Sequence, residues 1–296
     1  MRSAPGRIYR RAVTSTRPGT GALARSVVGP GATWGDRRAA APRVGERTAK
    51  CAPLLPPDVT EQLYLADSSV RSFEATVERT LNDRVVLDRS HFYPTGGGQP
   101  HDTGTLAFDG GEAAVTDVAK TDTVYHTVDG PTPEAGTTVR GELDWERRSA
   151  HMRYHTAQHL LSAVLLDEFD AETVGNQLYA DRARLDASYP KFSETDLADV
   201  EARLNELVDD DLPVRHYTME RERAEAELDT QRTRIDLLPD SIAELRIVEV
   251  GDPDDPFDRT ACAGTHVAAT GELDGVEVTG RTTQGSETER VTFTLG

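Results

Sequence analysis

The chain has 296 residues, enough for one large domain or two modest ones, each with a core of its own. Its formal net charge of −18 hides an asymmetry: residues 1–58 hold 11 Lys and Arg against 3 Asp and Glu, leaving 22 against 48 in the remainder. Two distant cysteines, Cys51 and Cys262, argue against a disulfide framework, and no apolar run approaches the ~20 residues that span a bilayer. A soluble, cytoplasmic protein is expected. Lysine occurs only at Lys50, Lys120 and Lys191. A surface of carboxylates and guanidinium groups suits a halophile, where molar salt shortens the Debye length to roughly 3 Å.

Residues 1–58 are rich in Arg, Ala, Gly and Pro without a period of 2 or 3.6, and read as a disordered basic leader. An organelle transit peptide is one reading. Upstream sequence with a mis-assigned start, the true one lying near Val59, is the other, and the abrupt charge reversal favours it.

From residue 72 to 145 short β-type segments alternate with turn signals. They span 73–77, 84–87, 105–108, 114–118, 123–128 and 139–143, punctuated by Asp109-Gly110-Gly111 and Asp129-Gly130-Pro131. Such strands predict a small antiparallel barrel, and within it lies Pro94-Thr95-Gly96-Gly97-Gly98-Gln99-Pro100. Residues 147–169 change to a helical pattern, with Met152, His155, His159, Ala163 and Leu166 on one face. Residues 177–185 look extended. Ser193, with Asp196 three residues on, opens a second helix carrying Leu197, Val200, Leu204 and Leu207, which ends before Pro213. Strands return at 246–250, 275–280 and 290–295. The expected fold class is α+β, with a small N-terminal antiparallel β-barrel domain over 59–146 and an α+β domain over 147–296.

Two short motifs carry chemistry. In His155-Thr156-Ala157-Gln158-His159 the imidazoles are four apart, so on a helix both reach one metal ion. Cys262-Ala263-Gly264-Thr265-His266 adds a thiolate and a third imidazole. Two such pairs about a hundred residues apart, in a chain nearly free of cysteine, fit a tetrahedral Zn²⁺ site with one sulfur and three nitrogen ligands. A rival reading makes Cys262 a nucleophile with His266 as its base, but no nearby residue supplies the oriented third partner. Metalloproteolysis needs a glutamate directly after the first histidine, where this chain has Thr156.

Taken together, Asp144-Trp145-Glu146-Arg147-Arg148, Met152-Arg153, the run from His155 through Leu161, Cys262 through Val267, and Gly96 through Pro100 closely resemble the editing domain of alanyl-tRNA synthetase and its free-standing AlaX relatives of the medium-length class. The likeness runs from about Val59 to the C-terminus. It implies Zn²⁺ on His155, His159, Cys262 and His266, an N-terminal barrel, and hydrolysis of serine, sometimes glycine, from mischarged tRNA(Ala). By the same resemblance Gln177 is a substrate-contacting residue, with Thr173 and Thr265 as further candidates for reading the serine hydroxyl. Gly96, Gly97, Gly98 and Arg153 are candidate contacts to substrate RNA, with Arg147, Arg148, Arg182 and Arg184 as further cations. The alternative is a non-catalytic tRNA-binding module stapled by zinc. The stretch Gln284-Gly285-Ser286-Glu287-Thr288-Glu289-Arg290 departs from the basic Lys/Gly run of many relatives.

Overall fold

The computed structural model describes residues 59–296 apart from Thr230, Arg234, Asp236 and Leu237, and the expected leader over 1–58 lies outside the described residues. The first half is all β: β1 (Glu61–Gln62), β2 (Ser72–Leu81), β3 (Arg84–Leu87), β4 (Arg89–Ser90), β5 (Gly104–Phe108), β6 (Gly111–Lys120), β7 (Val124–Asp129) and β8 (Thr138–Leu143). Six of these close into the expected barrel in the order β2-β3-β7-β6-β5-β8, while β1 and β4 form a separate parallel pair. Period-two patterning drives the closure: along β8, Val139, Gly141 and Leu143 are buried and the residues between them exposed. Val85, Leu87, Phe92, Leu106, Val115 and Val118 fill the barrel.

α1 (Trp145–Phe169) follows at once, its first turn capped by the Asp144 carboxylate, which accepts from the Arg147 amide at 3.2 Å. The pattern predicts one buried face, yet the run from Tyr154 to Leu161 is buried without a break. The helix is central: Leu160, Leu161, Val164 and Leu165 enter the main apolar core, while Arg148 and His155 bond to the barrel side.

The remaining elements are β9 (Thr173–Leu178), β10 (Ala183–Ala187), α2 (Glu194–Asp209), β11 (Val214–Glu220), α3 (Arg221–Glu227), β12 (Glu244–Asp252), β13 (Asp255–Ala261), β14 (Val276–Thr283) and β15 (Glu289–Leu295). They build a four-stranded sheet, β14-β15-β10-β9, and a three-stranded one, β11-β12-β13. Residues 177–185, expected as one extended stretch, are extended at both ends, in the last residues of β9 and the first of β10, with a tight turn over residues 179–182 between them. Ser193 and Asp196 form a reciprocal capping box at the start of α2.

The described residues belong to one compact unit, with the barrel and the α/β part tied by buried bonds. Arg148 and Asp102 have no exposed side-chain surface. Arg148 Nε donates to both Asp102 oxygens at 3.1 and 3.0 Å, and its other nitrogens donate to the carbonyls of Ser68 and His91. No described helix is long and apolar enough to cross a membrane.

Candidate metal centre

α1 carries His155 and His159 one turn apart, and the segment after β13 carries Cys262 and His266. The structure brings all four together, with one candidate ligand atom from each lying within 4.8 Å of the others. Cys262 Sγ is 3.5 Å from His155 Nε2 and 3.4 Å from His266 Nε2. Zinc bonds of about 2.0 to 2.3 Å at tetrahedral angles give ligand–ligand separations of roughly 3.3 to 3.8 Å, so these spacings fit an S/N₃ donor set.

The three rings face inward for a common reason. Each Nδ1 is held from outside: His155 by Gln99 Oε1 at 2.8 Å, His159 by Asp258 Oδ2 at 3.2 Å, His266 by Thr156 Oγ1 at 3.1 Å. With Nδ1 so engaged, Nε2 is left for the centre, the arrangement that orients metal-bound imidazoles. Gln99, Thr156 and Asp258 are all buried.

Electrostatics favour the same point. Burial pushes the Cys262 thiol up, but His155 and His159 beside it outweigh burial and hold it well below its ordinary value. Burial opposes a proton on His159, yet the Cys262 thiolate and the Asp258 carboxylate raise it to about 10. Burial, with His155 close by, keeps His266 neutral. The Cys262 thiolate and the Asp258 carboxylate together bring negative charge to three imidazoles, a donor set that suits a divalent cation once the proton on His159 is released.

Two further features seat the ligand loop. Arg246 on β12 donates to the carbonyls of Cys262 at 2.8 Å and Gly264 at 3.1 Å, and to Leu65 O at 2.8 Å. Gly264 lies against the imidazole of His155, where a Cβ would come within 2.0 Å of Cε1, so only glycine lets the loop approach this closely.

The cluster sits in a cleft of about 560 Å³ whose walls come from the barrel (Tyr93 to Gly97), α1, β9 and the ligand loop. Thr173 lines it, its hydroxyl 2.7 Å from that of Ser162. Gln177 does not: β9 shifts register at Val174, so Asn176 shares the cleft with Thr173, bonded to Gln158 at 2.8 Å, while Gln177 turns to the Gly98 carbonyl at 3.1 Å. Thr265 is fully buried behind the wall, its hydroxyl taken by Gln99 Nε2 at 2.8 Å. Gly96 and Gly97 line the cleft and Gly98 does not.

The candidate RNA cations are spread apart. Arg148 is buried in its ion pair, and Arg153 clamps the carbonyls of Glu272, Leu273 and Gly296. Arg147 donates to His101 O, Arg182 packs over the Tyr179 ring at 4.4 Å, and Arg184 pairs with Asp186. Among the described residues, the Lys and Arg side chains on the cleft itself are Lys120 and Arg232. Arg232 is paired with Asp167 and Asp258, whereas Lys120 bonds the neutral Gln62 at 2.9 Å.

Sequence reasoning missed Gln99, Thr156, Asp258, Asn176 and Arg246 as parts of the centre. Gln99 lay inside the glycine-rich run, Thr156 between the two helical histidines and Asn176 beside Gln177, while Asp258 and Arg246 carry no local pattern.

Residues 60–147 match the family described as tRNA synthetases class II (A), and residues 245–292, which include Cys262 and His266, match the threonyl and alanyl tRNA synthetase second additional domain. These matches place the chain among proteins that share modules with the alanyl synthetases. Two alanyl-tRNA editing proteins named AlaX-M, from Methanosarcina barkeri and Methanosarcina acetivorans, are 40% and 39% identical to it, covering 80% of this chain and 99% of each relative. The alanine-tRNA ligase of Pyrobaculum neutrophilum is 38% identical over 224 residues, 74% of this chain but 25% of the ligase. The chain belongs to the AlaX family of alanyl-tRNA editing proteins.

Proposed function

We propose that this protein is an aminoacyl-tRNA deacylase that hydrolyses the ester of tRNA(Ala) mischarged with serine, and with glycine as a second substrate, acting in trans on a cytoplasmic pool in a halophilic cell. The observation that carries this reading is the inward-facing S/N₃ cluster at the base of a cleft within the range of about 300 to 1,000 Å³ typical of small-molecule sites. The AlaX-M relatives, matched over nearly their whole length, are the second support. In this reading the barrel domain, 59–146, and the editing domain, 147–296, share one substrate cleft.

Zn²⁺ on His155, His159, Cys262 and His266 would supply Lewis acidity toward the ester carbonyl or a water. The chain's own residues bind and orient. Alanine is smaller than serine and cannot be kept out by size, so the cleft must demand the hydroxyl through a partner left unsatisfied when alanine binds. Thr173, coupled to Ser162 and close to Asn176 and Gln158 along the cleft, takes that role. Gln177 and Thr265 act behind the walls, Gln177 through Gly98 and Thr265 through Gln99. Gly96 and Gly97 carry no side chain on their wall, which lets a nucleotide approach the backbone, and Lys120 offers a charge to a phosphate near the 3′ end.

The test is release of serine from Ser-tRNA(Ala), with Ala-tRNA(Ala) as control, at molar KCl. Serine should be released, alanine retained, and activity abolished by a chelator and restored by Zn²⁺. Equal release of both, or full activity in metal-free protein, would sink the proposal. A folded protein that binds tRNA(Ala) and zinc but releases nothing would favour the non-catalytic module, for which a closed four-ligand shell is the usual structural mark.

A further inference from the structure

The barrel delivers one side chain into the metal centre of the other half of the molecule. Gln99 is 1% exposed and touches the centre at three points. Its Oε1 is 2.8 Å from His155 Nδ1 and 3.2 Å from the Thr265 amide nitrogen, and its Nε2 donates to Thr265 Oγ1 at 2.8 Å.

These contacts fix the protonation pattern by elimination. A backbone amide can only donate, so the Gln99 atom facing the Thr265 amide must be the oxygen. An oxygen cannot donate to His155 Nδ1, so Nδ1 must carry the proton. In the neutral, metal-binding ring His155 Nε2 is then the lone-pair nitrogen, and it is the one 3.5 Å from Cys262 Sγ. A flipped amide would set its NH₂ against both the Thr265 amide and the Nδ1–H.

The glycine run is what aims Gln99. Gly96 and Gln99 exchange backbone bonds at 3.1 and 2.9 Å, closing a turn over Gly97 and Gly98, both at positive φ (58° and 82°). The turn is wedged against β9: the Gly98 carbonyl accepts from Leu178 N at 2.9 Å, and a Cβ on Gly98 would meet Asn176 Oδ1 at 2.4 Å. The loop therefore touches two walls of the cleft and reaches the ligand segment between them.

We propose that Gln99 is a positioning residue for the metal centre: presented by the barrel's glycine turn, it sets the tautomer of His155 and, through Thr265, the seat of the loop carrying Cys262 and His266. The barrel is on this account a working part of the metal site. The proposal rests on the reading that these four side chains bind a metal, and not on the reaction catalysed.

The experiment measures Zn²⁺ affinity of the full-length protein by competition with a chromophoric chelator. Gln99→Leu, which keeps the volume but accepts no hydrogen bond, should weaken zinc by about 10- to 100-fold. Gln99→Glu still accepts from both His155 and the Thr265 amide, and should stay within a few-fold of the parent. Parent-like affinity in Gln99→Leu, or an equal loss in Gln99→Glu, overturns the proposal. Should Gln99→Leu fail to fold, long-range ¹H–¹⁵N NMR of the zinc-loaded parent decides. A proton on His155 Nδ1 with zinc on Nε2 supports the assignment, and zinc on Nδ1 overturns it. A parent that binds no zinc is a separate failure, that of the metal centre itself.

Discussion

Asp258 holds His159 Nδ1 at 3.2 Å from a strand that ends one residue before Cys262. One short segment thus supplies both a candidate ligand and the carboxylate that orients a candidate ligand on α1. Replacing that carboxylate by an amide, Asp258→Asn, leaves the shape but removes the charge that steers the ring and raises its basicity. Zinc affinity should fall by about 10- to 100-fold while the metal-free fold persists, read by chelator competition and circular dichroism. Unchanged affinity would remove Asp258 from the centre.

The Arg148–Asp102 pair predicts a thermodynamic asymmetry. Removing one partner leaves a buried charge without compensation, so Arg148→Met or Asp102→Leu alone should cost about 3 to 5 kcal/mol in urea unfolding. The double variant removes both charges and should recover a large part of that loss. Additive losses would mean that the two side chains do not act as a pair.

His126 sets an acid limit on stability. It is buried in the barrel, with Nδ1 donating to Val85 O at 3.1 Å and Nε2 accepting from Ser90 Oγ at 2.8 Å, and burial pushes it down from 6.5 to about 4. Between these values the unfolded chain binds a proton that the folded protein refuses. The stability it contributes is therefore complete above pH 6.5 and lost as pH falls from 6.5 toward 4. His126→Gln should flatten the pH dependence of the unfolding midpoint in that window, and an unaltered slope would contradict the assignment.

Thr173 tests the recognition of the substrate's hydroxyl. Thr173→Val keeps the shape of the wall but removes the partner of Ser162, and the preference for seryl over alanyl ester in kcat/KM should fall by about tenfold. Zinc content should not change. Equal loss of zinc and of discrimination would make Thr173 a structural residue.

The barrel was legible from period-two patterning in strands such as Thr138–Leu143, which alternates without an error, and from the turn signals between segments; Arg84–Leu87 matches its expected bounds although its last three residues are all buried. Ser193 with Asp196 announced α2 through cap chemistry confined to four residues. β11 and β13 were not expected. Val214–Glu220 is mostly exposed and shows no apolar alternation, and Asp255–Ala261 is an edge strand that tolerates Pro256 within an acidic stretch. The four metal-ligand candidates were legible because each pair is local, His155 with His159 and Cys262 with His266. Their outer partners were not, since Gln99 and Asp258 meet their histidines across 56 and 99 residues of chain. The preference for Gln177 over Asn176 turned on strand phase, and a shift of one residue exchanges the two faces.

The central claim is that one thiolate and three imidazoles share a single ion. X-ray absorption at the zinc edge of the loaded protein tests it most directly. The account predicts one sulfur at about 2.3 Å and three nitrogens at about 2.0 to 2.1 Å. A first shell without sulfur, or zinc that washes out on ultrafiltration, would contradict it.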